Sequence, residues 1–161
     1  MNNIHIDFAA DVPAFLPTLA IWHHQQWSHL NPTTFSVNAR LTMYQQECQR
    51  RVPLMVIAHA NGKPAGSARL IENDLAHATP HSPWLASLYV APPLRKQGIG
   101  GLLVQRICQE ARRLGYSRVY LFTENKQAFF SRAGWREIEQ IDTAGIPVTV
   151  MEYAILGLCH K

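Results

Sequence analysis

Leu85-Ala-Ser-Leu-Tyr-Val-Ala-Pro-Pro-Leu-Arg-Lys-Gln-Gly-Ile-Gly-Gly-Leu-Leu-Val104 decides the fold of this chain. The stretch opens as a strand, with Leu88 and Val90 on one face and Ser87 and Tyr89 on the other. Pro92 and Pro93 stop that strand, because proline has no N–H for a ladder and restricts the residue before it. A basic turn follows, Arg95-Lys96-Gln97, and glycines at 98, 100 and 101 lead into an amphipathic helix. A helix start carries unpaired N–H groups and partial positive charge, and glycines let an anion come close to them. The stretch is therefore a candidate phosphate cradle. It is not the dinucleotide fingerprint G-x-G-x-x-G, which needs glycine where Leu103 stands, and the G-x-x-x-x-G-K-[ST] loop is absent.

Outward from this centre, the helix runs on through Leu103, Ile107, Ala111 and Leu114, with Gln105, Arg106, Gln109, Glu110 and Arg113 on its other side. Gly115 is placed as its C-terminal cap. Arg118–Phe122 reads as a short strand, Ala128–Ala133 as a short helix closed by Gly134, and Arg136–Ile141 and Val148–Leu156 as two terminal strands. Upstream, Pro53–Ala58 is an apolar strand, Asn61-Gly62 a hairpin turn, and Pro64–Ile71 the returning partner. The loop from Glu72 to Pro83 is polar and punctuated by proline, with Glu72, Asp74, His77 and His81 as ligand-facing candidates. Ile4–Phe8 reads as a first strand by its alternation, and Asp11 and Pro13 open a helix through about Leu30. Asn31–Thr34 reads as a turn and cap before a second helix over Phe35–Arg51. The order is α/β of the α+β kind, in one domain spanning 1–161.

Hydrophobic residues at 47% and charged residues at 16% describe a globular chain rather than a disordered one. The net charge of +4 suits an anionic ligand, but no basic run is interleaved with aromatics, so no nucleic-acid partner is expected. Neither a signal peptide nor an apolar run of membrane length stands in the sequence. Cys48, Cys108 and Cys159 match no metal spacing, and the adjacent His23 and His24 point in different directions on a helix. These readings predict a reduced, cytoplasmic protein with no metal and no membrane partner.

Arg95-Lys96-Gln97-Gly98-Ile99-Gly100, an R-x-x-G-x-G directly after an apolar strand, resembles the acyl-coenzyme-A-binding motif of the GNAT acetyltransferases. Asn125, Ala128, Phe129-Phe130 and Gly134-Trp135 are similar to the later block of that family, and Pro53 to Leu156 follows its element order. The resemblance, to small single-domain bacterial members, implies a mixed, mostly antiparallel sheet with splayed central strands, flanked by helices. It implies acetyl-CoA as co-substrate, with the backbone of Leu88 and Val90 bonding the pantetheine arm. The amides of Gln97, Gly98, Ile99, Gly100 and Gly101 would hold the pyrophosphate, Arg95 and Lys96 would supply charge, and Asn125 and Phe130 would line the donor site. It also allows a homodimer.

Two departures bear on mechanism. Phe130 stands where many relatives have a tyrosine that protonates the leaving thiolate, and Ala86 and Ser87 stand where many carry a strand carboxylate. Ser87 and Tyr89 are the substitute catalytic candidates, with Tyr120 beside them, and Trp27, Glu72 and Asp74 are candidates for the acceptor side. The expected reaction is acetyl transfer to a primary amine, on a small molecule or a peptide N-terminus. An acyl-CoA-binding module without turnover is the alternative.

Overall fold

The computed structural model describes residues 3–30 and 36–155. Seven strands form one sheet: β1 His5–Phe8, β2 Leu54–Ala60, β3 Lys63–Ile71, β4 Trp84–Val90, β5 Arg118–Thr123, β6 Arg136–Thr143 and β7 Ile146–Ala154, in the order β1-β2-β3-β4-β5-β7-β6. The helices are α1 Leu16–Trp27, α2 Val37–Gln46, α3 Ile99–Arg113 and α4 Gln127–Arg132. Neighbouring strands are antiparallel except β4 and β5, which are parallel and joined through α3, because a parallel pair needs a crossover.

Alternation sorts the side chains onto two layers. Val56, Ala68, Leu70, Leu85, Leu121 and Met151 face α3 and α4, where they meet Leu103, Ile107 and Phe130. Met55 and Ile57 face α1 and α2 on the opposite side, against Leu16, Leu19 and Tyr44. The α3 apolar stripe is as read from its spacing, and the helix ends at Gly115 with φ +90. There Gly115 N–H donates to Arg112 O and Tyr116 N–H to Ala111 O, each at 3.0 Å, which satisfies carbonyls left open by the helix end. Glu110 departs from the expected polar side: it is buried, with its carboxylate against Arg113 Nε at 3.1 Å. Both hairpin turns, Asn61-Gly62 and Ala144-Gly145, have positive φ at the two central residues, the twist-matching arrangement for a two-residue loop.

The second helix is shorter than its sequence suggests. It begins after Ser36, whose Oγ accepts the Ala39 N–H at 3.0 Å, and ends at Gln46 rather than Arg51. Beyond it Glu47 turns its side chain onto β3, and Gln49 Nε2 donates to Pro53 O at 2.8 Å. The expected cap at Asn31–Thr34, with Phe35 and Leu156, lies outside the described residues.

Regular alternation also fails at one place in β4. Ser67 pairs with Tyr89, but Arg69 pairs with Ala86, so β4 carries one more residue than β3 between those positions. Ser87 takes φ +52 there, a bulge that turns Leu85 and Leu88 to the same face although they are three apart. On the other edge of β4, pairing with β5 is confined to Trp84 and Tyr120. Gly66, opposite Val90, marks how closely β3 and β4 approach: a Cβ there would stand 2.4 Å from the Tyr89 carbonyl oxygen. Gly66→Ala is therefore expected to destabilise the protein by about 1–3 kcal/mol, the usual cost of overpacking a rigid site, read as a lower midpoint in urea unfolding.

Candidate functional site

The gap between β4 and β5 is lined by backbone. In an antiparallel ladder, successive residues point their N–H and C=O groups to opposite edges. Ala91 N–H donates to Ala65 O at 2.8 Å, so Val90 turns its groups away from β3, and Leu88 shares that direction. Among the described residues no strand pairs with that edge beyond Trp84. The sequence reading of Leu88 and Val90 as backbone contacts thus falls on a free edge. Val90 O is taken by Arg95 Nε at 2.8 Å, and the Arg95 guanidinium lies 5.5 Å from the Tyr89 ring centroid. Arg95 braces the end of β4, and the exposed Lys96 projects from the turn.

That turn continues the line of the gap into α3. Lys96 and Gly98 both have positive φ, at 64 and 88, and Leu102 N–H returns to Gly98 O at 3.2 Å. The amides of Ile99, Gly100 and Gly101 precede this bond in the first helical turn and point out of the helix. The three glycines differ in their surroundings. Gly98 is required by its left-handed backbone, and Gly100 lies where a Cβ would meet Phe129 at 3.5 Å and Val90 at 3.8 Å. A Cβ on Gly101 would meet no protein atom within 4 Å. Its bareness serves no contact within the protein and leaves the helix start open to an anion.

Across the gap, Asn125 is exposed in the turn before α4, where Thr123 Oγ1 accepts the Lys126 N–H at 2.9 Å. Phe130 lies in α4, on the β5 side of the gap. Its ring is buried in the α3-side core, edge-on to Phe129 at 5.0 Å and beside Trp135 at 5.8 Å. Phe129 is the aromatic residue beside Gly100 and the gap. A separate groove of about 420 Å³ runs along α3 past Gln105, Cys108, Arg112, Trp135 and Tyr153; of the glycine turn it touches only Gly101.

The α1–α2 face of β4 is aromatic and polar. Tyr89 packs against Trp22 at 5.6 Å, His23 at 5.6 Å and Trp27 at 5.9 Å between ring centroids. His23, 0% exposed, bonds Tyr44 Oη through Nδ1 at 2.7 Å and Ser67 Oγ through Nε2 at 2.8 Å. Burial, aided by the Arg69 and Arg40 charges, holds its pKa well below the ordinary histidine value, so the ring is neutral. Beside it Arg69 Nε donates to Glu47 Oε2 at 2.8 Å, and Arg69 Nη1 reaches Ser87 Oγ at 3.2 Å. Burial alone would lower the guanidinium pKa, but the Glu47 bond more than restores it.

Asp74 joins this wall from the 72–83 loop. Asn73 Oδ1 accepts the Leu75 N–H and Asn73 Nδ2 donates to His77 O, each at 2.9 Å, which shapes the turn. Burial pushes the Asp74 carboxyl up to about 7, against a downward pull from Arg69. Glu72 is exposed. His81 stacks on Tyr120 at 4.5 Å, which places Tyr120 at the closed end of the gap. Among the described residues no three His, Cys, Asp or Glu side chains form a metal-sized group. Sequence reasoning missed Glu47, Ser67, Arg69 and Tyr44 and set His23 aside. One signal was present: Arg69 stands in a strand otherwise without charge after Lys63, and a buried cation requires a partner.

A sheet opened along one edge, with that edge running into a glycine turn and a bare helix start, defines a protein class built to hold an extended anionic ligand. The acetyltransferase (GNAT) family model matches residues 18–135, and the chain belongs to that family. Its fold is similar to that of yncA from Salmonella typhimurium, solved with its cofactor acetyl-CoA, at 20% identity over 99% of this chain and 98% of that one, with a TM-score of 0.75. An aminoglycoside 6'-N-acetyltransferase complexed with coenzyme A is similar at 16% identity over 98% and 99% of the two chains, with a TM-score of 0.75. A GNAT acetyltransferase from Streptococcus pneumoniae follows at 15% identity over 95% and 99%, with a TM-score of 0.69. A search of curated protein sequences gives no match.

Gly101→Ala separates ligand from fold. The exchange is expected to stabilise the ligand-free protein by up to about 1 kcal/mol through helix propensity, while the methyl group weakens acetyl-CoA binding at least tenfold. Thermal unfolding and calorimetric titration read the two effects.

Proposed function

We propose that this protein transfers the acetyl group of acetyl-CoA to a primary amine, on a small molecule or a peptide N-terminus, by direct attack in a ternary complex. The observation that carries this is the free Leu88–Val90 edge leading into the open helix start at Gly98–Gly101. The structures it resembles with acetyl-CoA and CoA bound support the same donor. The thioester supplies an activated acyl carbon. In this reading the Val90 amide donates to the carbonyl oxygen as it becomes an oxyanion. The amine nitrogen bonds to that carbon, the carbon–sulfur bond breaks, and the thiolate takes a proton as CoA leaves.

Direct transfer fits the described cysteines. Burial pushes the Cys108 thiol up to about 12, and burial with the neighbouring Glu47 raises that of Cys48, so neither offers a thiolate at neutral pH. The amine must lose a proton to attack. From the reference pKa values, neutralising a lysine at pH 7 costs about 4.6 kcal/mol, and an α-amine only about 1. An α-amine or another weakly basic amine is the better acceptor for a site without a carboxylate on β4. Asp74 is the base of this reading, receiving the amine proton through water, because a carboxyl near 7 is poised at working pH. Tyr89, the phenol that β4 itself carries and that packs against Trp27 of α1, is the candidate acid in place of Phe130.

Assays of CoA release with a panel of amines and N-terminal peptides test the reaction. Binding of acetyl-CoA with no acceptor-stimulated release favours the alternative, a CoA-binding module, for which the absence of a phenol at Phe130 is the supporting observation. In the wild type, kcat/KM is expected to rise as pH increases through about 7. Asp74→Asn should lower it about 10²-fold or more and flatten that limb. Stability gives an independent reading of the same group. Its folded pKa of about 7 lies above the ordinary carboxyl range, so the folded state binds the extra proton and wild-type stability falls from about pH 4 towards 7. Asp74→Asn is expected to remove that fall. Tyr89→Phe should lower kcat and change its pH profile, and an unchanged profile excludes Tyr89 as the acid.

A further inference from the structure

Ser87 stands at φ +52, a region that residues other than glycine enter at a cost and keep only where the surroundings enforce it. Two buried arms reach this residue from the α1–α2 face. One runs from Glu47, just past α2, through Arg69 of β3 to Ser87 Oγ, with bonds of 2.8 and 3.2 Å. The other runs from Tyr44 through His23 to Ser67, at 2.7 and 2.8 Å, and Ser67 Oγ donates to the Ser87 carbonyl at 3.3 Å. The side chain and the carbonyl of one strained residue are thus held by separate chains of hydrogen bonds.

The composition of these arms needs a reason. The Arg69 and Glu47 side chains are only 7% and 6% exposed, and apolar residues of similar volume often stabilise a protein as well as a buried ion pair does. Apolar residues would not grip a carbonyl and a hydroxyl. Val90 lies three positions along the strand from the gripped residue, so a rotation at Ser87 moves the amide that faces the gap.

We propose that Glu47, Arg69, His23 and Ser67 are positioning residues for acyl transfer, locking the Ser87 bulge so that the Leu88–Val90 edge meets the thioester carbonyl in register. The inference rests on the transferase reading above. It assigns these four side chains no contact with substrate. Their effect is geometric, and a displacement of about 1 Å at a reacting centre can cost on the order of 10²-fold in rate. The cradle at Gly98–Gly101 lies beyond Pro92 and Pro93 and is not touched by either arm.

Ser67→Ala cuts the carbonyl arm with little loss of volume, and Glu47→Gln weakens the other while keeping its shape. Each is expected to lower kcat about 10–100-fold and to leave the dissociation constant for free CoA within about threefold. Ser67→Thr, which restores a hydroxyl, should recover most of kcat. Unchanged kcat with a lower melting temperature would overturn the proposal, as would CoA affinity falling in step with kcat. A readout independent of turnover is the amide resonance of Val90 in ¹⁵N-labelled protein, titrated with acetyl-CoA and with CoA. A shift difference between the two ligands in the wild type that disappears in Ser67→Ala supports positioning, even if no amine is acetylated and the transferase reading fails. An equal difference in both proteins overturns it.

Discussion

One residue of β3, Ala68, faces two of β4, Ser87 and Leu88, and the surplus is absorbed at Ser87. A bulge bends its strand and increases its twist. Here it lies between the Trp84 end of β4, which pairs with β5, and the Val90 end, which does not. The open edge, the direction of Val90 and the common facing of Leu85 and Leu88 onto α3 all depend on that one surplus residue. Without it, regular alternation would send Leu85 and Leu88 to opposite faces and remove one of them from the core beneath α3.

The sheet consequently meets two different environments along one strand. Towards α3 it is uniformly apolar and closes a core. Towards α1 and α2 it carries a buried guanidinium and meets a carboxylate and a neutral imidazole, each with a partner. Polar groups buried together raise the cost of leaving any one unpaired, so the wall tolerates few rearrangements. The aromatic cluster around Tyr89 closes over it and limits water at the strand.

Much of this architecture is legible in the sequence because local chemistry dictates it. Asn61-Gly62 forms its hairpin, Gly115 ends α3, and the glycines at 98, 100 and 101 stand at the helix start, each for a reason visible within a few residues. The family resemblance placed Leu88 and Val90 along the donor gap. What stayed hidden is set by partners distant in sequence. Nothing in Ala86-Ser87-Leu88 marks a bulge, since no glycine relieves the positive φ; that conformation is imposed from Ser67 and Arg69. Glu47 falls within the helix expected over Phe35–Arg51, whereas the helix ends just before it and its side chain bonds Arg69. Phe129 and Phe130 are equivalent as letters, and only packing sends one to the gap and the other to the core.

The crossover from β4 through α3 to β5 is a short continuous piece of chain, and the donor-side features lie within it or just beyond it. The opposite wall is assembled from α1, α2, β3 and the 72–83 loop, all encoded earlier. Evolution can therefore edit the two sides of the same strand almost independently. On the proposed transferase reading, exchange or drift in the first half of the chain would retune which molecule is accepted while the donor side is inherited intact. Ser87 is where the two inheritances touch, so it is the position at which a new wall must still fit an old strand.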